Sequence, residues 1–108
     1  MRFEVRWTRA AAADLDEIVD WIAAHDSQAR AEHVAGRIEA AVGALARHPH
    51  RGAHPRELAE AGLSEFRETS FKPYRIIYRV LGRRVFVYLV ADGRRDMQAL
   101  LVRRLLAQ

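Results

Sequence analysis

The chain predicts an α+β domain with the element order βααβββα, and three observations carry that expectation. Residues 2–7 alternate as a half-buried strand does. Two stretches of helical apolar spacing follow between residues 11 and 45. Residues 74–91 then hold two β-rich runs split by Gly82-Arg83. A length of 108 residues suits one core, so residues 1–108 are read as a single domain.

In the first strand, RFEVRW, Phe3, Val5 and Trp7 alternate with Arg2, Glu4 and Arg6. Thr8 is a good N-cap. Ala11, Leu15, Ile18, Val19 and Ile22 then recur at helical spacing to about Ala24, with Asp14, Asp16, Glu17 and Asp20 assigned to the wet face. His25-Asp26-Ser27 interrupts the pattern and offers Asp26 or Ser27 as the next cap. Val34, Ile38, Ala41, Val42 and Leu45 resume the stripe in a second helix that must stop before Pro49, giving an antiparallel helical hairpin. Gly36 and Gly43 each cost that helix about 1 kcal/mol against Ala, a cost that close packing of a neighbour would explain. Residues 48–65 lack a sustained period and read as a connection with one helical turn near Arg56–Glu60. The β pattern returns from Ser64 to Phe71, and Lys72-Pro73 marks a turn before the hairpin. Residues 96–106 place Met97, Leu100, Leu101 and Leu105 on one side of a last helix capped by Asp96.

A two-residue turn at Gly82-Arg83 pairs Leu81 with Arg84, Arg79 with Phe86 and Ile77 with Tyr88. One face then gathers Tyr74, Ile76, Tyr78, Val80, Val85, Val87, Leu89 and Ala91 as the core side. The other gathers Arg75, Ile77, Arg79, Leu81, Arg84, Phe86, Tyr88 and Val90. With Arg94 and Arg95 just beyond, four arginines would share one surface with two aromatic rings. Such a surface is either a solvated sheet face with cation–π stacking or a dock for phosphates, bases or an acidic peptide.

Charge points the same way. Residues 1–62 carry a net −2 and residues 63–108 a net +6, so the basic field belongs to the C-terminal half and favours an anionic partner. Of the 18 basic residues 17 are Arg, which suits bidentate grips and also follows from a GC-rich genome. No run approaches the roughly 18 apolar residues of a membrane span, and the N-terminus lacks a signal-peptide core; a cytoplasmic protein without membrane contact is expected. Cysteine is absent, which excludes disulfides and thiol catalysis. His48, His50 and His54 sit in a Pro/Gly loop without a carboxylate at helical distance, so neither metal nor other cofactor is expected. Gly82 and Gly93 are isolated and form no phosphate-cradling loop.

The run PYRIIYRV, then VFVYLV, then DGRRD and a terminal helix containing RRLL, resembles the RelE/ParE superfamily of bacterial toxins. The phrase WTRAAAADLDEIVDWIA and the loop HPHRGAHP are similar to the ParE branch, so the likeness spans nearly the whole chain. It implies the toxin of a type II toxin–antitoxin module, held silent in a hetero-oligomer by an antitoxin with an acidic or amphipathic tail. Two targets follow from it. ParE-like members poison DNA gyrase as protein ligands, without bond-making chemistry of their own. RelE-like members cleave mRNA on the ribosome without a metal, using basic groups at the scissile phosphate and a proton carrier. Arg75 and Arg95 match that branch's functional arginines, and Arg67 lies near one of its basic positions. Leu101 stands about where that branch often has Tyr or His. Tyr88 is the remaining candidate carrier, with a free pKa of about 10 that suits it poorly. The expected antitoxin- or target-binding set is Lys72, Arg75, Arg79, Phe86, Tyr88, Arg94, Arg95, Leu101 and Leu105. Gyrase poisoning is the first reading, mRNA cleavage the second, and a non-toxic basic binding module the third.

Overall fold

The structure, a computed structural model, describes residues 2–106. Strand β1 (Glu4–Trp7) turns Val5 and Trp7 into a core and leaves Glu4 and Arg6 on the opposite side, as its alternation requires. The Thr8 hydroxyl accepts from the Ala11 amide at 3.1 Å and opens helix α1 (Arg9–His25). Ser27, not Asp26, caps helix α2 (Gln28–Gly43), its Oγ accepting from the Arg30 amide at 3.0 Å. Two 3-10 turns, Ala44–Ala46 and Pro49–Arg51, and one helical turn, α3 (Arg56–Ala59), carry the connection. Strands β2 (Phe66–Phe71), β3 (Tyr74–Leu81) and β4 (Arg84–Asp92) form the antiparallel meander. Asp96 then accepts from the Ala99 amide and starts helix α4 (Met97–Leu106).

The four strands lie in the order β1-β4-β3-β2. Strand β1 runs parallel to β4, with Val5 beside Val85 and Trp7 beside Val87, a pairing that needs the long crossover supplied by the helical hairpin. The β3–β4 turn places Leu81 opposite Arg84. Gly82 has φ of 61° while no described non-glycine residue has positive φ, which is the II′ form of the primed turns.

The register expected from that turn holds for four pairs, to Tyr78 opposite Val87, and then shifts. Ile77 faces Leu89 instead of Tyr88, because a bulge inserts Tyr88 as an extra residue. One inserted residue reverses the parity of everything beyond it. Leu89 and Ala91, expected on the hairpin side, therefore point to the opposite face, and Val90 takes the core position on the hairpin side.

The sheet consequently has two cores. Helices α1 and α2 cover the first, built on Ile22, Val34, Ile38, Ile76, Tyr78, Val85 and Val87. Helix α4 and the α3 turn cover the second, built on Leu58, Phe66, Ile77, Leu89, Ala91, Met97, Leu100 and Leu101. The face expected to be an open arginine surface is thus half roofed. Each fully buried aliphatic side chain contributes about 1.5–3 kcal/mol, so the second core accounts for the strongly apolar last helix. Gly36 and Gly43 do not serve close packing, since a Cβ on either meets nothing within 4 Å. The fully buried small residues of the hairpin are Ala11 and Ala31. No helix among the described residues is long and apolar enough to cross a membrane.

Candidate functional site

Arg75 leaves β3 on the second face and is held by two carboxylates. Glu57 of α3 accepts from both terminal nitrogens at 2.8 and 2.9 Å, and Glu68 of β2 accepts from Nε and Nη2 at 2.9 and 2.7 Å. All three side chains are at most one fifth exposed. The Arg75 hydrogen bonds hold the Glu57 carboxyl down at about 2, against the opposing effect of burial. In turn Glu57 first, then Glu68, raise the guanidinium's own affinity for its proton. Two carboxylates around one guanidinium leave the cluster with net negative charge, so it repels a phosphate. The aliphatic stem of Arg75 lies against Gly93, where a Cβ would come within 2.8 Å of it.

Two further arginines are tied to the fold. Arg67 donates from Nη1 to the carbonyls of His50 and Gly52 at 3.0 and 2.9 Å, fastening the connection to β2. Tyr78 fastens it from beneath, its buried hydroxyl donating to the Pro49 carbonyl at 2.6 Å. Arg104 of α4 grips Asp14 of α1 through two bonds at 2.7 and 2.9 Å and also donates to the Tyr88 carbonyl at 2.8 Å. Asp14 accepts the Val90 amide at 3.0 Å. These side chains satisfy β4 backbone groups around the bulge, where β1 has already ended at Trp7. Asp14 is therefore no wet-face acid; it is 13% exposed and locks α1 to α4 across the strand.

Past the end of β1, α1 and β4 leave a groove of about 330 Å³ whose walls include Ile18, Trp21, Tyr74 and Val90, with charges of both signs, Asp14, Glu17, Asp92, Arg94 and Arg95, around them. Trp21 is 62% exposed, stacked on His25 at 4.3 Å. Sequence reasoning passed over Trp21, which lies off the Ile18–Ile22 stripe among acids. A large ring in such a position was the available signal. Arg94 is folded onto Asp92, whose carboxyl it holds below the usual range, and Arg95 is exposed at the same rim. No three His, Asp or Glu side chains gather as metal ligands among the described residues. His50 meets the Phe3 ring edge-on and His54 a backbone carbonyl.

The family model for the ParE toxin of the type II toxin–antitoxin system parDE matches residues 5–97. The chain belongs to the ParE toxin family. Solved structures share the fold. A chain from the chromosomal ParDE toxin–antitoxin system of P. aeruginosa is 24% identical with a TM-score of 0.70, over 84% of this chain and 96% of that one. A chain from the RelBE2 toxin–antitoxin complex of Mycobacterium tuberculosis is 25% identical with a TM-score of 0.60, over 85% and 99%. The E. coli toxin RelE, as a double arginine-to-alanine mutant in the free state, is 15% identical with a TM-score of 0.65, over 96% and 98%. A search of curated protein sequences returns no significant match.

In this ParE-family toxin the expected site residues occupy several places, not one. Arg94 and Arg95 stand together at the α1–β4 groove, and Arg75 lies behind Gly93 in its carboxylate cage. Lys72 is exposed in the β2–β3 turn, beside the cis Lys72-Pro73 bond. Arg79 and Phe86 face each other toward the other end of the sheet, while Tyr88 is half-buried at the bulge with its ring edge-on to Phe66. Leu101 is 2% exposed within the second core, and Leu105 lines a separate cleft of about 200 Å³ between α3 and α4. The structure brings Arg94 and Arg95 together, sets Arg75 against Gly93 beside them but inside its carboxylate cage, and leaves Arg79 toward the other end of the sheet. Glu57, Asp14 and Arg104 were missed because each is remote in sequence from its partner, and Glu68, seven residues before Arg75, because the β2–β3 pairing was not resolved in the sequence.

Proposed function

We propose that this ParE-family toxin arrests growth by poisoning DNA gyrase as a protein ligand. In this reading a cognate antitoxin silences it through the groove between α1 and β4. The observation that carries the target is the Arg75 cage. The resemblance assigns Arg75 to the phosphate-binding arginines of an mRNA endonuclease, yet here two carboxylates take its donors and reverse the local charge. Arg67 is spent on two loop carbonyls. Helix α4 contains neither Tyr nor His, and Leu101, standing about where a proton carrier is expected, is buried. The remaining candidate carrier, Tyr88, is half-buried at the bulge against Phe66, away from the Arg75 cage, and this arrangement favours a toxin that acts by binding. The decisive assay incubates the purified toxin with gyrase, ATP and supercoiled plasmid, beside programmed ribosomes. Accumulated gyrase-cleaved plasmid with intact mRNA is expected; codon-dependent mRNA cuts with normal supercoiling would transfer the assignment to the endonuclease.

The antitoxin reading rests on the groove's chemistry. An exposed Trp21, with Ile18 and Tyr74 beside it, offers the apolar anchor for an amphipathic tail, and Arg95 is the rim cation for its acidic groups, Arg94 already answering Asp92. Trp21→Ala should weaken antitoxin binding at least ten-fold, because exposed tryptophans serve as anchors. Arg95→Ala should weaken it several-fold at low salt, whereas Arg75→Ala should act mainly on folding. Calorimetric titration of the three variants separates these effects, and undiminished affinity in the Trp21 variant sinks the groove as the antitoxin site.

A further inference from the structure

One rung of the sheet crosses all four strands and reads Phe66, Arg79, Phe86, Arg6 from β2 to β1. Residues paired across neighbouring strands project from the same face, so rings and guanidinium groups alternate along this line. The next pairs toward the β3–β4 turn set Glu4 beside Arg84 and Arg84 opposite Leu81. Helix α4 roofs the far half of this face over Ile77, Leu89 and Ala91, and the core beneath it takes in Phe66 but neither Phe86 nor Leu81. The turn end is left open. Arg6 and Arg84 both bond Glu4, at 2.8 and 3.0 Å, and remain 54% and 60% exposed. Among the described residues Arg79 has no ion pair, and its Nε is buried without an acceptor. Three guanidinium groups thus face one carboxylate around a half-buried ring.

We propose that this open end of the sheet docks single-stranded nucleic acid, with Arg6, Arg79 and Arg84 on phosphates and Phe86 beneath a base. The surplus positive charge selects an anion, and the terminal nitrogens of part-exposed Arg79, not its buried Nε, are the donors left for a phosphate oxygen. A flat face with cations around a ring matches phosphate contact plus stacking. An acidic amphipathic peptide needs an apolar trough, and the troughs of this fold lie elsewhere, beside Trp21 and between α3 and α4.

The test titrates the full-length toxin with short fluorescent strands, DNA and RNA of one sequence, across a salt series. R6Q/R84Q should weaken binding about ten-fold and lower the slope of log affinity against log salt by about 1.4, two contacts at ~0.7 each. F86L should weaken it about five-fold or more with the slope unchanged, since stacking releases no counterion. R94Q/R95Q removes the same charge at the other end and should cost much less. Unaltered thermal unfolding of the R6Q/R84Q protein confirms that the loss is one of contact. Equal losses in the two double variants, no binding by the parent at low salt, or competition by oligoglutamate as strong as by the unlabelled strand would each overturn the proposal. Equal affinity for DNA and RNA is the expectation for phosphate and ring contacts; a preference leaves the surface assigned and identifies the natural strand.

Discussion

Arg75, Asp14 and Gly52 show how single residues hold this fold. The Glu57 carboxyl titrates at about 2 in the folded chain against an ordinary 4.5, so it stabilises the fold fully above about pH 4.5, and that stability is lost as pH falls toward 2. Glu57→Gln should therefore cost about 1–3 kcal/mol at neutral pH, with the gap from the parent closing as the pH is lowered. Urea unfolding at neutral and acid pH measures it, and a pH-independent gap would show that the cage is not the cause. Asp14→Asn frees Arg104 from its partner and weakens the bond to the Val90 amide. A loss of about 2–3 kcal/mol is expected, seen as a melting temperature lowered by roughly 10 °C or more. At Gly52 an added Cβ would overlap the Tyr78 hydroxyl and come within 2.6 Å of the Glu68 carbonyl oxygen, so Gly52→Ala should destabilise by about 1–3 kcal/mol. Local residue roles were legible in the sequence: Thr8, Ser27 and Asp96 each bond an amide three residues on. Asp14 and Arg104 were not, being 90 positions apart, nor were Arg75 and Glu57, 18 apart. Nothing in a linear pattern distinguishes such a partnered acid from one on a wet helix face.

Among the elements, helix and strand identities followed from periodicity because each buries one regular stripe. What the pattern could not supply was the bulge. Tyr88 is inserted where β4 outruns β1 and where Asp14 and Arg104 take over its backbone groups, so its cause lies in two distant helices. The consequence reached the candidate site. Assigning Leu89 and Ala91 to the wrong side concealed a second core, and without that core α4 had no roof to form over the supposed arginine surface. The two α2 glycines make a separate point, since a Cβ on Gly36 meets open space. Gly36→Ala should stabilise the protein by about 0.5–1 kcal/mol, chiefly by narrowing the unfolded ensemble, and a lower melting temperature in that variant would contradict the assignment.

For the whole molecule, one sheet with two covered faces leaves few places for partners, and those places differ in chemistry. Beside α1 lies a groove with an exposed tryptophan and charges of both signs; at the β3–β4 turn lies an open patch of guanidinium and aromatic groups. Arg75, packed on Gly93, is committed to two carboxylates. The same arginine-rich hairpin that suggests phosphate chemistry in the sequence is, in the fold, partly a structural ion cluster. Under the proposed function, that difference favours binding over cleavage. The most direct measurement is brief induction of the toxin in cells, following DNA-damage signalling beside transcript integrity. A rapid damage response with intact mRNA is expected. Cleaved transcripts without a damage response, abolished by Arg75→Ala in a protein that still folds, would contradict it.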